Sequence, residues 1–481
     1  RMRDSSYAVV CAVVSGIANL VLWTGYDAHV FIVESVLHSV NGREPERIGA
    51  HDGYYGLAVM NIFYMLANLV VPSLMNYFRC KWILLMGATF FTFYFLSFQL
   101  LNKFLYFFSC GILGLAFATF NVGYSGYMTE ISTRQTLERN QALNWGVSNN
   151  SVFFSGLLYM LLTTLSMQSG VEIVSKYREY SDGEVRLFFA AMAVLGGLGM
   201  VLFAFLPNRE MVGCIAETTE RTKTVKEQLS KMVRVLVDRR ILILVPFYLY
   251  IGLFFSFWIS IVPTTLQFTR ALAEHKFLPA YFGMCFSLGS TLMSLLTMFM
   301  SNRVKNFSFK PLGVLNFTVH CLIYILAVCL IPEWSTVRPN DEPSLLIPPS
   351  IPPVLVLGFL FGLADAANNT CRTVISSLLI PSSRQQTFGA SRFYHALAAS
   401  ILFFASPSLS VYTYVIVLST VLVLATISYL YTCAHVSREE RKQSQLPPSY
   451  VVPALSELPE KRNIDSFSYE VKTPAKESQL Y

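Results

Sequence analysis

PVLVLGFLFGLADAANNTCRTVISSLL, residues Pro353 to Leu379, decides how this chain is read. At about 1.5 Å of rise per residue the run is long enough to cross a hydrocarbon core of about 30 Å as a helix. Its second half carries Asp365, Asn368, Asn369 and Arg372 at i, i+3, i+4 and i+7, which a helix places on one face. A charged group in a span costs about 2.5 to 3.5 kcal/mol on insertion scales, so such a stripe faces the interior of a bundle rather than lipid. One helix of this kind implies others packed around it.

The rest of the chain supplies them. Of 481 residues 54% are hydrophobic and only 14% charged, and the mean hydropathy is +0.49, more apolar surface than one soluble core could hide. Windows of roughly 19 residues place spans at Tyr7 to Val33, Tyr54 to Met75, Trp82 to Leu101, Leu105 to Tyr124, Ala142 to Leu165 and Val185 to Phe205. A second set runs Ile241 to Val262, Leu278 to Met300, Pro311 to Leu330, Pro353 to Leu379, Phe388 to Ala405 and Val411 to Tyr431. The expected fold is an all-α membrane protein of about twelve transmembrane helices, a 6+6 pseudo-symmetric bundle of the major-facilitator type. The first apolar stretch is too long for a signal-peptide core and holds Asn19, Trp23 and Asp27, so it reads as a true span.

The chain divides into an amino-terminal half, 1–206, a linker, 207–240, a second half, 241–432, and a tail, 433–481. In the linker Val225, Leu229, Met232, Val233 and Leu236 recur at helical spacing between basic residues, the pattern of an amphipathic helix on a membrane face. The tail turns to Pro, Ser, Glu and Lys and is expected to be disordered. Within it Pro447, Pro448 and Tyr450 have the Pro-Pro-x-Tyr form taken by WW domains as a polyproline helix.

Charge fixes the expected orientation. With the amino terminus inside, Arg79, Lys81, Arg134, Arg139, the eight basic residues from Arg209 to Arg240, and seven more in the tail all fall on the cytoplasmic side. Both termini are then cytoplasmic, and the net charge of +7 reflects topology and anionic lipid rather than nucleic acid. Cys80, Cys214 and Cys433 would meet the reducing cytosol and the other six lie in or beside spans, so no disulfide is expected.

Polar residues inside the spans are the candidates for a cavity or a coupling role. They are Asp365, Asn368, Asn369 and Arg372 on the tenth span, Asp27 on the first, in line with Asn19 and Trp23, and Arg392 with His395 on the eleventh. Asn61, Asn68, Asn144, Asn149, Asn150 and His320 read as bonds between helices. Neither a phosphate-binding glycine loop, nor a Cys-x-x-Cys, nor a His-Glu-x-x-His, nor a nucleophile elbow occurs, so no enzyme, metal or cofactor is expected.

Gly53-Tyr54-Tyr55-Gly56-Leu57-Ala58-Val59, Lys81-Trp82, Gly126-Tyr127-Met128-Thr129 with Ser132-Thr133 and Thr136, then Arg139-Asn140 and Trp145, together resemble the UNC-93 family, a branch of the major facilitator superfamily. Gly362-Leu363-Ala364-Asp365-Ala366 with Asn369-Thr370 resembles that family's Gly-Leu-Gly-Asp element. Gly123-Tyr124-Ser125-Gly126 departs from it, since relatives carry Gly-Gln-Gly there. The resemblance implies a regulatory or auxiliary partner of a potassium channel or another membrane protein. The alternative reading is a secondary transporter that carries a small solute through a central cavity.

Overall fold

The computed structural model describes residues 4–133, 136–168, 179–207, 209, 214, 224–304, 307, 309–380 and 383–445. They are helical almost throughout. In the first half α1 (Asp4–Val30) crosses the bundle and α2 (Val33–Arg43) lies beyond it, followed by α3 (Asp52–Val70), α4 (Cys80–Ser97) and α5 (Lys103–Glu130). The fifth crossing is α6 (Leu137–Ser148) with α7 (Ser151–Gln168), and α8 (Asp182–Ala204) is the sixth. After α9 (Val225–Leu236) the second half begins with α10 (Arg239–Ser256), a π-helical turn at Phe257–Ile261 and α11 (Val262–Phe268), which together make one crossing. The remaining crossings are α12 (Leu278–Arg303), α13 (Lys310–Leu330), α14 (Ile351–Leu379), α15 (Arg384–Ala405) and α16 (Val411–Gln445).

Ten helices among the described residues are long and apolar enough to cross a membrane. The fifth and eleventh of the twelve expected crossings fall outside that set. The fifth is interrupted at Asn149-Asn150 between α6 and α7, and the eleventh, α15, holds Arg392 and His395 among its apolar residues.

The spans belong to one compact unit, Arg1–Ser437, and Arg438–Tyr481 forms a second. Residues 433–445 are helical, where the sequence reading begins a disordered tail. Arg438, Glu439, Glu440, Arg441 and Lys442 are good helix formers, and extending an existing helix needs no new nucleus. The Pro-Pro-x-Tyr motif lies outside the described residues.

Close backbone approach is built from glycine, as expected where lipid supplies no hydrophobic drive between helices. A Cβ on Gly362 of α14 would land on the carbonyl oxygen of Phe286 in α12, and one on Gly252 of α10 would land on that of His395 in α15. The π-helical turn has a similarly local origin. Val262 N–H reaches back five residues to the Phe257 carbonyl, and Pro263, next in line, has no N–H to donate.

The chain enters and leaves the bundle repeatedly at the end where α1 begins; the opposite end is here called the far end. Hydrogen bonds joining the two halves gather there. Tyr54 Oη donates to the Thr336 carbonyl at 2.8 Å, and Tyr180 Oη donates to Gln267 Oε1 at 2.8 Å. Gln267 Nε2 in turn donates to the Phe31 carbonyl at 3.0 Å, and Ser400 Oγ to that of Ala58 at 3.2 Å. Nearer the middle, Asn149 Nδ2 donates to Ser290 Oγ at 3.2 Å. At the other end α9 lies under the bundle with Met232, Val235 and Leu236 buried, and Tyr394 Oη of α15 donates to the Leu236 carbonyl at 2.9 Å. Val225, Leu229 and Val233, at i, i+4 and i+8 of the same helix, stay exposed. The expected apolar stripe is thus divided, one edge packed on the bundle and the other left for the bilayer.

Candidate functional site

The polar stripe of α14 separates into two groups. Asp365 Oδ2 accepts from Asn369 Nδ2 at 2.9 Å, and Asn369 Oδ1 accepts from Arg372 Nη2 at 2.7 Å, a relay along the helix. These three residues are partly accessible. Asn368 is not part of it. Rotated about 60° from Asp365 by its i+3 spacing, it is fully buried against α13, where its Oδ1 accepts from Asn316 Nδ2 at 2.7 Å and its amide lies 3.3 Å from His320 Nε2. His320 also contacts the Asn316 carbonyl and the ring of Phe254. The expectation that Asn368 shares the Asp365 face is corrected, because a net offset of about 60° over three residues is enough to hand it to a neighbouring helix.

Asp27 reaches the same seam from the first half. It is buried, and its Oδ2 accepts from Ser151 Oγ at 2.6 Å. The break in the fifth crossing makes this bond: Ser151 opens α7 directly after Asn149-Asn150, so its hydroxyl turns toward α1. Asp27 and Asp365 lie within electrostatic reach of each other across the two halves. Asn19 and Trp23, aligned with Asp27 in sequence, take other partners. Asn19 Nδ2 donates to Asn144 Oδ1 at 3.1 Å, and Trp23 sits edge-on to Phe91, Phe117 and Phe120. Asn144 fastens α6 to α1 further through Ser15 Oγ at 2.6 Å and the Ala12 carbonyl at 3.1 Å.

Arg392 and His395 of α15 join the seam from the second half. Arg392 is partly accessible and stands within electrostatic reach of Arg372, His395 and Tyr124, the last a residue of α5 in the first half. Among the described residues it makes no ion pair or hydrogen bond. His395 packs on Phe255 with ring centroids 5.2 Å apart. Asn61 and Asn68, expected to link helices, instead donate to carbonyls one turn back in α3, those of Leu57 and Tyr64, each at 2.8 Å.

Sequence reasoning missed Trp258 and Tyr124. Trp258 lies in the π-helical turn and stacks on Phe286 with centroids 3.9 Å apart, and its buried indole N–H has no hydrogen-bond partner among the described residues. The nearby Pro263 was the available signal. The buried hydroxyl of Tyr124 has no hydrogen-bond partner among the described residues. A cleft inside the second half is lined by Phe247, Asn316, Cys371 and Tyr429, and so adjoins the Asn316–Asn368 pair.

Two six-helix halves, joined at the far end and presenting facing charges along their seam, define a membrane protein of the major-facilitator type. The structure of a peptide transporter POT covers 92% of this chain and 99% of its own at 12% identity, with a TM-score of 0.60. That of the E. coli fucose:proton symporter FucP covers 89% and 99% at 12% identity, with a TM-score of 0.57. These likenesses are of fold. By sequence, the model described as "Ion channel regulatory protein UNC-93" matches residues 44–430, and the chain belongs to the UNC-93 family. The UNC93-like protein MFSD11 of Xenopus tropicalis is 21% identical over 447 residues, 89% of this chain and 97% of the relative.

Proposed function

We propose that this integral multi-pass membrane protein acts as a regulatory subunit of an ion channel, with a potassium channel or another membrane protein as its partner. The observation that carries this reading is the family match across both halves, 44–430. Surfaces available for such a partner are the outward stripe Val194, Leu198 and Val201 of α8 with Phe205 just past its end, all exposed, and the exposed edge of α9. On this reading Pro207 to Arg240 links the halves, both termini are cytoplasmic, and the tail motif at Pro447, Pro448 and Tyr450 recruits a WW-domain protein. The test is mild-detergent purification of the tagged chain from its native cells with quantitative mass spectrometry. A channel recovered at comparable copy number supports the proposal, and recovery of the chain alone from those cells refutes it there.

A second reading, solute transport through the seam, is favoured by the placement of Asp27 and Asp365 within mutual reach on opposite halves. Two carboxylates on the two moving parts are suited to couple a change of conformation to a change of charge. Uptake into proteoliposomes that falls to background with Asp365→Asn, while exterior substitutions are tolerated, supports transport; uptake indifferent to Asp365 removes it.

A further inference from the structure

We propose that Arg372 and Arg392 form an anion site in the seam between the halves, taking a small organic oxyanion such as a carboxylate or phosphate ester. This deepens the transport reading and rests on it for a path, though not for binding. Each guanidinium carries five donors in a fixed fork that matches an oxyanion. Arg372 uses one of its nitrogens on Asn369 Oδ1. Neither arginine has a carboxylate partner among the described residues.

Neither carboxylate of the seam forms an ion pair with Arg372 or Arg392 among the described residues. Asp27 accepts from Ser151, and Asp365 accepts from Asn369. Along α14, Arg372 stands about 10 Å from Asp365 toward the end where α1 begins, so the positive pair and the acidic pair occupy different levels. Asp365 lies within electrostatic reach of Arg372, but one carboxylate does not offset two arginines in a membrane interior, and partial accessibility reduces but does not remove the arginines' mutual repulsion. A bound anion would remove it.

The surroundings fit the same chemistry. The Tyr124 hydroxyl and His395 Nδ1 are buried polar atoms without a partner, and both residues lie within electrostatic reach of Arg392 or Arg372. Tyr64 and Tyr248 lie within electrostatic reach of Arg372 from opposite halves. Trp145 stands edge-on to Tyr124 at 6.1 Å and Phe255 packs on His395, giving an apolar wall for the organic part of a ligand. Because Tyr64 and Tyr124 belong to one half and the arginines to the other, an occupied site would also draw the halves together at this level.

The experiment uses the full chain in phosphatidylcholine nanodiscs, titrated with phenyl phosphate, benzoate and the uncharged control benzyl alcohol, read by calorimetry and by thermal unfolding. Binding of an anionic probe but not of benzyl alcohol is expected. Arg372→Gln and Arg392→Gln should each weaken it by roughly tenfold or more, the scale of one charge-assisted contact, while Arg392→Lys retains part. Monodisperse elution of each variant separates loss of binding from loss of fold. If phosphatidic acid in the nanodisc is retained with the same arginine dependence and displaced by phenyl phosphate, the oxyanion is a lipid headgroup. Binding of neither probe nor phosphatidic acid, or binding indifferent to both arginines, overturns the proposal. Arginine-dependent binding without counterflow in proteoliposomes keeps the site and rejects transport.

Discussion

Replacing Gln267 by Leu should open the far end of the bundle. Its amide accepts from Tyr180 at 2.8 Å and donates to the Phe31 carbonyl at 3.0 Å, and all three residues are buried. Both bonds join one half to the other, separated by 87 and 236 positions in sequence. A buried hydrogen bond is worth about 1 kcal/mol net, and orphaning its partner costs a further ~1–3 kcal/mol. In a state with the far end parted, water would satisfy Phe31 and Tyr180, so the penalty falls on the closed state alone. Tyr180 keeps its contact with Tyr159 Oη at 3.2 Å, which lowers the total. A net shift of about 2 kcal/mol moves the closed-to-open ratio by roughly 30-fold. Hydrogen exchange with mass spectrometry reads it directly: peptides covering Phe31 to Arg43 and Pro332 to Asn340 should exchange faster by about that factor. Peptides of α4 and α5, buried inside one half, should not change. If the far-end peptides exchange at the wild-type rate in a variant that remains folded, these bonds do not hold the halves together and the reasoning fails.

Further substitutions test other joints. Asn144→Ala removes three bonds tying α6 to α1; at about 0.6 kcal/mol for each interhelical bond the loss is roughly 2 kcal/mol, seen as a lower thermal midpoint in detergent. Gly362→Ala places a methyl group on the Phe286 carbonyl and should cost about 1–3 kcal/mol through overpacking, whereas Gly197→Ala, with open space around it, should leave the same midpoint unchanged. At the far end, outside the spans, burial raises the carboxyl pKa of Glu34, which accepts from Tyr54 N–H at 2.8 Å with His51 and Asp52 beside it. A carboxyl raised in the folded state favours folding most below its unfolded pKa of about 4.3, and that contribution is lost as pH rises through the folded value. Glu34→Gln should therefore flatten this part of the pH dependence of thermal stability; an unchanged profile shows that Glu34 does not titrate in that range.

Much of the architecture was legible because it depends on local composition. The apolar runs and the helix at Val225–Leu236 follow from hydropathy and periodicity. The fifth crossing reads from sequence as one span but is two helices, since Asn149 and Asn150 place their side-chain amides on Ser290 and on the Gly146 carbonyl. The end of α16 was misjudged because a polar stretch that is too soluble to pack alone still extends a helix already formed.

The candidate residues divided along the same line. Asp365, Asn369 and Arg372 were readable as one stripe, because a 3.6-residue period fixes their relative bearing. That bearing is relative only, so nothing in α14 alone could say that Asn368 would fall to α13 while Asp365 came within electrostatic reach of Asp27. Sequence determined which segments cross the membrane and which side chains had to avoid lipid, because both are settled by the free energy of transferring a single helix. Tertiary structure alone decided that Asp27 would meet Ser151, that Arg392 would come within electrostatic reach of Arg372 and Tyr124, and that the far end would close. Those outcomes depend on the rotation and packing of helices distant in the chain, where one step of a turn changes every partner.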